Sequence, residues 1–176
     1  MEKTGLFFGP MKGAVHRAAE MIRKAAGEDR VDLIPVGSAS VADLEKYHKI
    51  IFGISTVGKE TWDQEFSNTD WSRFFPEISK ADFTNRTVAI FGLGDHVTYP
   101  GHFVNAMGVL AKEILRKGPG VKLTGKVDPS AYEFDDSEAV IDGLFVGLPL
   151  DEDFEPELTG ERIRAWVKEI SADFGF

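Results

Sequence analysis

Short apolar runs alternate with amphipathic stripes along most of this chain. Leu6-Phe7-Phe8 is a continuous apolar run bounded by glycines, the pattern of a buried strand. Beyond Gly9, residues Val15, Ala18, Ala19, Ile22, Ala25 and Ala26 recur at i, i+3, i+4, i+7 spacing. That is one apolar helical face, and Gly27 closes it. Val31 to Ile34 reads as a second strand closed by Pro35, and Ser40 as the cap of a short helix carrying Val41 and Leu44. Ile50-Ile51-Phe52 is a third strand, ended at Gly53. Trp71 to Phe75 is a short helix stopped before Pro76, because proline disfavours helical backbone in the residue ahead of it. Val88 to Phe91 is the fourth strand. Phe103, Ala106, Met107, Leu110 and Ile114 form a second strong stripe, broken at Gly118-Pro119-Gly120. The last third is less regular. Val121 to Leu123 and Leu144 to Leu148 are strand pieces separated by a long polar stretch, and Thr159 caps a final helix with Ile163, Trp166, Val167 and Ile170 on one face.

Strand and helix in alternation is the signature of parallel βαβ units. Strands this uniformly apolar are covered by helices on both faces. The expected fold class is therefore α/β, a doubly wound parallel sheet, formed by residues 1–176 as one domain. In such sheets ligands sit beyond the carboxyl ends of the strands, where strand order reverses. The loops that matter are those after Phe8, Phe52 and Phe91.

Composition narrows the chemistry. With no cysteine, thiolate metal sites, Fe–S ligation and cysteine nucleophiles are excluded. The formal net charge of −9 argues against nucleic acid, which needs a basic footprint. It permits steering toward basic partner proteins. The apolar stretch at the N-terminus is too short for a signal peptide or a membrane span, so a soluble, cytoplasmic monomer is expected. His16, His48, His96 and His102 are scattered, so no metal site and no catalytic constellation is expected. The histidines of the third loop read as solvent-facing. Asp135-Asp136 and Asp151-Glu152-Asp153 read as solvated surface.

Two loops carry ligand chemistry. The first is Gly9-Pro10-Met11-Lys12-Gly13-Ala14-Val15, a turn feeding a helix N-terminus. Backbone N–H groups converge there, and an anion such as phosphate fits. It lacks the dinucleotide fingerprint and the Lys-Ser/Thr ending of a P-loop, so a plain turn is the alternative. The other is Phe91-Gly92-Leu93-Gly94-Asp95-His96-Val97-Thr98-Tyr99-Pro100-Gly101-His102-Phe103. Its glycines would let backbone approach a planar ligand, and Tyr99 can stack on a flat ring.

The Gly-Leu-Gly-Asp…Tyr-Pro…Phe run resembles the second ring-binding loop of flavodoxins. The tail is similar to the C-terminal third of the long-chain members: Tyr132-Glu133-Phe134, Asp142 to Leu148, Leu150-Asp151-Glu152-Asp153, Leu158-Thr159 and Arg162 to Val167. The resemblance implies five parallel strands in the order 2-1-3-4-5, with the fifth split by an insertion that matches the polar stretch before Leu144. It implies an electron carrier on non-covalently bound flavin mononucleotide (FMN), working between a reductase and an acceptor with basic docking faces, and no enzyme. The binding residues it implies are Pro10, Met11, Lys12, Gly13, Ala14 and Val15 for the phosphate, with Ser55, Thr56, Val57, Gly58, Leu93, Gly94, Asp95, Tyr99, His102, Phe103 and Asp151 around the ring. Reduced FMN tends to be anionic, so acidic and apolar surroundings would hold its potential low.

The sequence departs from the family's usual pattern in two places. The hydroxyl positions of a Thr/Ser-x-Thr-Gly-x-Thr loop are here Pro10, Lys12 and Val15, and only Gly13 keeps its place. Val57 stands where an aromatic residue is usual, and Trp62 in the same loop is a candidate substitute. A flavodoxin-like binding or regulatory protein with weakened or lost FMN binding is therefore the alternative, and an FMN-dependent reductase a lesser one.

Overall fold

Side chains alternate across each central strand, and that alternation builds two separate cores. Leu6 and Phe8 of β1 (Thr4–Phe8) face one side of the sheet together with Ile51 of β3 (Lys49–Ser55) and Ala89, Phe91 and Leu93 of β4 (Thr87–Leu93). Phe7, Ile50, Phe52, Ile54, Val88 and Ile90 face the other side. Helices α1 (Ala14–Ala26) and α5 (Pro156–Phe174) cover the first face. Helices α3 (Asp70–Lys80) and α4 (Asn105–Lys117), with the short α2 (Val41–Leu44), cover the second. The computed structural model describes residues 2–56 and 69–176.

The sheet runs β2 (Val31–Pro35), β1, β3, β4 and then a fifth strand in two halves. β5 (Lys122–Thr124) pairs with Thr87–Ala89 and β8 (Leu148–Leu150) with Phe91–Leu93, all parallel. The expected order and the split fifth strand are both present. Between the halves, β6 (Val140–Ile141) and β7 (Leu144–Phe145) form a small antiparallel hairpin. Its turn is Asp142-Gly143, both at positive φ, the conformation a two-residue hairpin loop requires. Tyr132 fastens this insertion to the sheet by donating its hydroxyl to the Pro149 carbonyl at 2.9 Å. The Arg162 guanidinium lies 4.3 Å from the centre of its ring.

Three local expectations are corrected. Gly53 does not end the third strand, which continues to Ser55. A Cβ there would lie 2.2 Å from the Phe91 ring, so the glycine makes room for packing and keeps its place in the ladder. Helix α3 does not stop before Pro76 but runs through it. An interior proline costs about 3 kcal/mol. Burial of Trp71, Phe74 and Ile78 on one face is worth about 1.5–3 kcal/mol each and offsets that cost. Thr159 caps nothing, since α5 starts at Pro156, a residue suited to the first helical turn. The Thr159 hydroxyl instead donates to Glu152 Oε2 at 3.1 Å.

Among the described residues, no helix is long and apolar enough to cross a membrane.

Candidate functional site

Because β1, β3 and β4 are parallel neighbours, the loops that leave their carboxyl ends emerge along one edge. Cross-links bind that edge together. The Gly53 carbonyl accepts from the Gly9 N–H at 3.3 Å and from Trp71 Nε1 at 2.9 Å. Thr56 N–H donates to the Leu93 carbonyl at 2.9 Å.

Loop one runs from Gly9 to Gly13, and the Gly9–Pro10 peptide is cis. Met11 and Lys12 are exposed, and Gly13 and Ala14 are half-buried. Gly13 is the N-cap of α1, with no side-chain cap and no acidic residue in the first turn. The first amides of a helix lack intrahelical acceptors. In α2 and α3 side chains answer them, through the capping boxes of Ser40 with Asp43 and of Thr69 with Ser72. At α1 the amides of Gly13, Ala14 and Val15 have no acceptor among the described residues. A Cβ built at Gly13 would meet nothing within 4 Å. Open space beside free donors and a helix N-terminus suits a phosphate group. The Val15 side chain is buried against the α1 and α5 core, so only its amide can serve the loop.

Loop three is built differently. Asp151 is fully buried and its carboxylate accepts from the His96 N–H at 3.0 Å, the His96 ring Nδ1 at 2.5 Å, the Asp153 N–H at 3.0 Å and the Phe154 N–H at 2.9 Å. Burial alone would raise the pKa of that carboxyl. The His96 and Phe154 amides, the His96 ring and the Asp153 amide hold it below the ordinary carboxylate value. Asp95 Oδ1 accepts from the Val97 and Thr98 amides at 3.0 and 2.7 Å, and the Gly94 N–H donates to the Leu150 carbonyl at 3.0 Å. The insertion docks on the same loop. The Pro100 carbonyl accepts from the Asp135 and Asp136 amides at 2.8 and 3.0 Å, and the Phe103 carbonyl from the Ser137 hydroxyl. Asp135, Asp136 and Asp153 are exposed around it, giving this rim an acidic surface.

Several residues expected at the ligand have other work. Phe103 is a core residue, 1% exposed, its ring against Tyr132, Phe134 and Phe145. Asp151 is a buried anchor and no part of a solvated acidic run. His96 is not solvent-facing: its ring lies edge-on to Phe103 and Phe154 and bonds to Asp151. Gly92 and Gly94 make room for the start of α4, since a Cβ would lie 2.3 Å from Met107 or 2.9 Å from Val104. His102 Nδ1 lies 3.3 Å from Asn105 Nδ2. Leu93 is 6% exposed. Tyr99 is half-buried, and its ring meets no other aromatic ring among the described residues, so it is the loop-three side chain best placed to meet a flat ligand.

Ser55 ends β3 and Thr56 follows it, both half-buried. Thr56 Oγ1 accepts the Ala106 N–H at 2.9 Å, a cap for α4 supplied from a different loop. Val57, Gly58 and Trp62 lie outside the described residues. Sequence reading missed His16 and His96. Lys12 and His16 are four residues apart, a local spacing that could have flagged the first, whereas His96 meets Asp151 across 55 positions with no sequence signal.

The family model described as Flavodoxin matches residues 6–166. A flavodoxin of Synechocystis sp. is 41% identical over 171 residues, covering 97% of this chain and 96% of that protein. A flavodoxin of Nostoc sp. is 38% identical over 174 residues, covering 99% of this chain and 98% of that protein. Among solved structures, a Fusobacterium nucleatum flavodoxin bound to flavin mononucleotide matches with a TM-score of 0.86 at 23% identity, covering 99% of each chain.

Proposed function

This chain belongs to the flavodoxin family, and from that premise we infer that it carries electrons between redox proteins on non-covalently bound FMN. The observation that carries the assignment is the pairing at one sheet edge of a helix N-terminus, whose first amides have no acceptor among the described residues, with a loop held rigid around Tyr99. FMN, when bound, supplies the one-electron chemistry.

The protein's own residues bind and orient. The amides of Gly13, Ala14 and Val15, with the dipole of α1, receive the phosphate, and Lys12 adds a nearby positive charge. Tyr99 would stack on the ring, and the backbone of Leu93, Gly94 and Asp95 would lie along its edge. Asp151 and His96 act behind that surface by holding the loop. The acidic rim of Asp95, Asp135, Asp136 and Asp153 disfavours added negative charge at the ring. It also suits basic docking faces on a reductase and an acceptor.

Titration of the apo-protein with FMN and with riboflavin, followed by flavin fluorescence, tests the reading. FMN is expected to bind more tightly than riboflavin by at least about tenfold, or 1.4 kcal/mol. Equal affinities would remove the phosphate role of loop one. Binding of neither would leave a flavodoxin-like binding protein without FMN.

A further inference from the structure

Loop one holds a left-handed residue that is not glycine. Lys12 has φ +64°, a region sparsely occupied by residues with a Cβ. Its backbone N–H donates to Nδ1 of His16 at 3.0 Å. Two further contacts fix the imidazole. Its ring stacks on Phe8, with centroids 4.8 Å apart and planes 29° from parallel. Its Nε2 lies 3.5 Å from Glu20 Oε1. A ring that accepts at Nδ1 carries its proton on Nε2, the nitrogen facing the carboxylate. Every constraint on the ring therefore agrees with Nδ1 as an acceptor turned toward the loop.

Among the described residues no side chain of the loop offers the Lys12 N–H a competing acceptor: Pro10, Met11 and Val15 are apolar, and the Lys12 ammonium only donates. A strained backbone conformation persists only where its surroundings impose it.

We propose that His16 is the positioning residue of the phosphate end: its Nδ1 draws the Lys12 amide inward and thereby holds the amides of Gly13, Ala14 and Val15 toward the phosphate. This rests on the FMN reading above. It also means that phosphate recognition uses the amides from Gly13 onward, because the Lys12 N–H is engaged.

The test measures dissociation constants for FMN and riboflavin with the native protein and four variants. His16→Phe keeps a ring for Phe8 but removes the acceptor. Its FMN affinity falls at least about tenfold while riboflavin stays within about twofold. His16→Asn places an amide oxygen near the position of Nδ1 and recovers most of the loss, which a general packing defect would not allow. Lys12→Gly relieves the left-handed strain. In the double variant with His16→Phe, the penalty of losing the imidazole shrinks to about threefold or less, a coupling that a double-mutant cycle reads directly. A loss shared equally by FMN and riboflavin, no loss at all, or penalties that simply add overturns the role of His16 and leaves the FMN assignment standing. A native protein that takes up neither flavin overturns the FMN assignment, and this inference with it.

Discussion

Loops one and three leave parallel strands at the same edge of the sheet, yet they become ordered by opposite means. Loop three is satisfied by the chain itself. Asp151 accepts four bonds, Asp95 accepts two amides, and the carbonyls of Pro100 and Phe103 are taken by the insertion. Among the described residues, the side-chain link of loop one is from the Lys12 amide to His16, and its helix begins without a side-chain cap. On the proposed reading, the ring end would thus be preorganised before any ligand arrives, whereas the phosphate end would be completed by the ligand. A fixed polar surrounding is what sets a cofactor's potential. Unanswered amides beside a helix N-terminus are what make an anion bind. On that reading the two loops would divide potential from affinity.

The sharpest way to break this contrast is Asp151→Ala. It leaves the part-buried donors of His96, Asp153 and Phe154 without their carboxylate acceptor, and each hydrogen-bonding group left unsatisfied costs about 1–3 kcal/mol. Urea unfolding of the apo-protein should show that loss, with the ring end losing affinity for FMN and riboflavin alike. The pH dependence has a defined sign. The Asp151 pKa is lowered in the folded protein, so its contribution is fully present above the unfolded aspartate value of about 3.9. It is lost as pH falls below that value through the folded one. Asp151→Asn should flatten the acid limb of the stability curve, measured as unfolding midpoint against pH. An unchanged limb would remove Asp151 as the anchor.

Next in size, Tyr99→Ala should weaken both flavins by about tenfold, since aromatic stacking on a planar base is worth about 1–3 kcal/mol. It should also raise the potential of the second one-electron step, because the ring face is electron-rich and disfavours a charged partner. Spectroelectrochemistry measures that potential, and an unmoved value would take the tuning role away from Tyr99. Thr56→Val removes the acceptor for the Ala106 amide and should cost about 1 kcal/mol of folding stability, as cap removal does, read from the chemical denaturation midpoint. The smallest effect belongs to loop one. Lys12→Gln should weaken FMN by a few-fold at low salt, with the difference closing above about 0.5 M salt as exposed charges are screened. Riboflavin should not respond, and a salt-independent loss would mean that Lys12 acts through its backbone alone.

Much of the fold was legible along the chain because its cause is local. The apolar runs at Leu6, Ile50 and Val88 and the stripes of α1 and α4 specify elements through the spacing of their own residues, and the sheet order agrees with them. The misreadings share one physical origin. Gly53, Pro76 and Thr159 each carry a local stop or cap signal that packing overrides: the Phe91 ring at Gly53, the buried face of α3 around Pro76, and Glu152 at Thr159. The glycines of loop three similarly signalled a close approach of backbone, but the approaching group is α4. At two of the usual hydroxyl positions the structure does not favour a threonine. Lys12 is left-handed, where a β-branched residue is strained, and Val15 faces the core.

By itself the sequence determined the alternation of strand and helix, the two buried faces, the glycine turn ahead of α1 and the family to which the loops belong, since each depends on residues close together in the chain. Tertiary structure alone decided which polar groups meet. His96 and Asp151 are 55 positions apart, Thr56 and Ala106 are 50 apart, and Phe103 and Ser137 are 34 apart. Hydrogen bonds of this kind require donor and acceptor within about 3 Å, a proximity that spacing along the chain does not encode and that arises only when the strands carrying these loops are laid side by side.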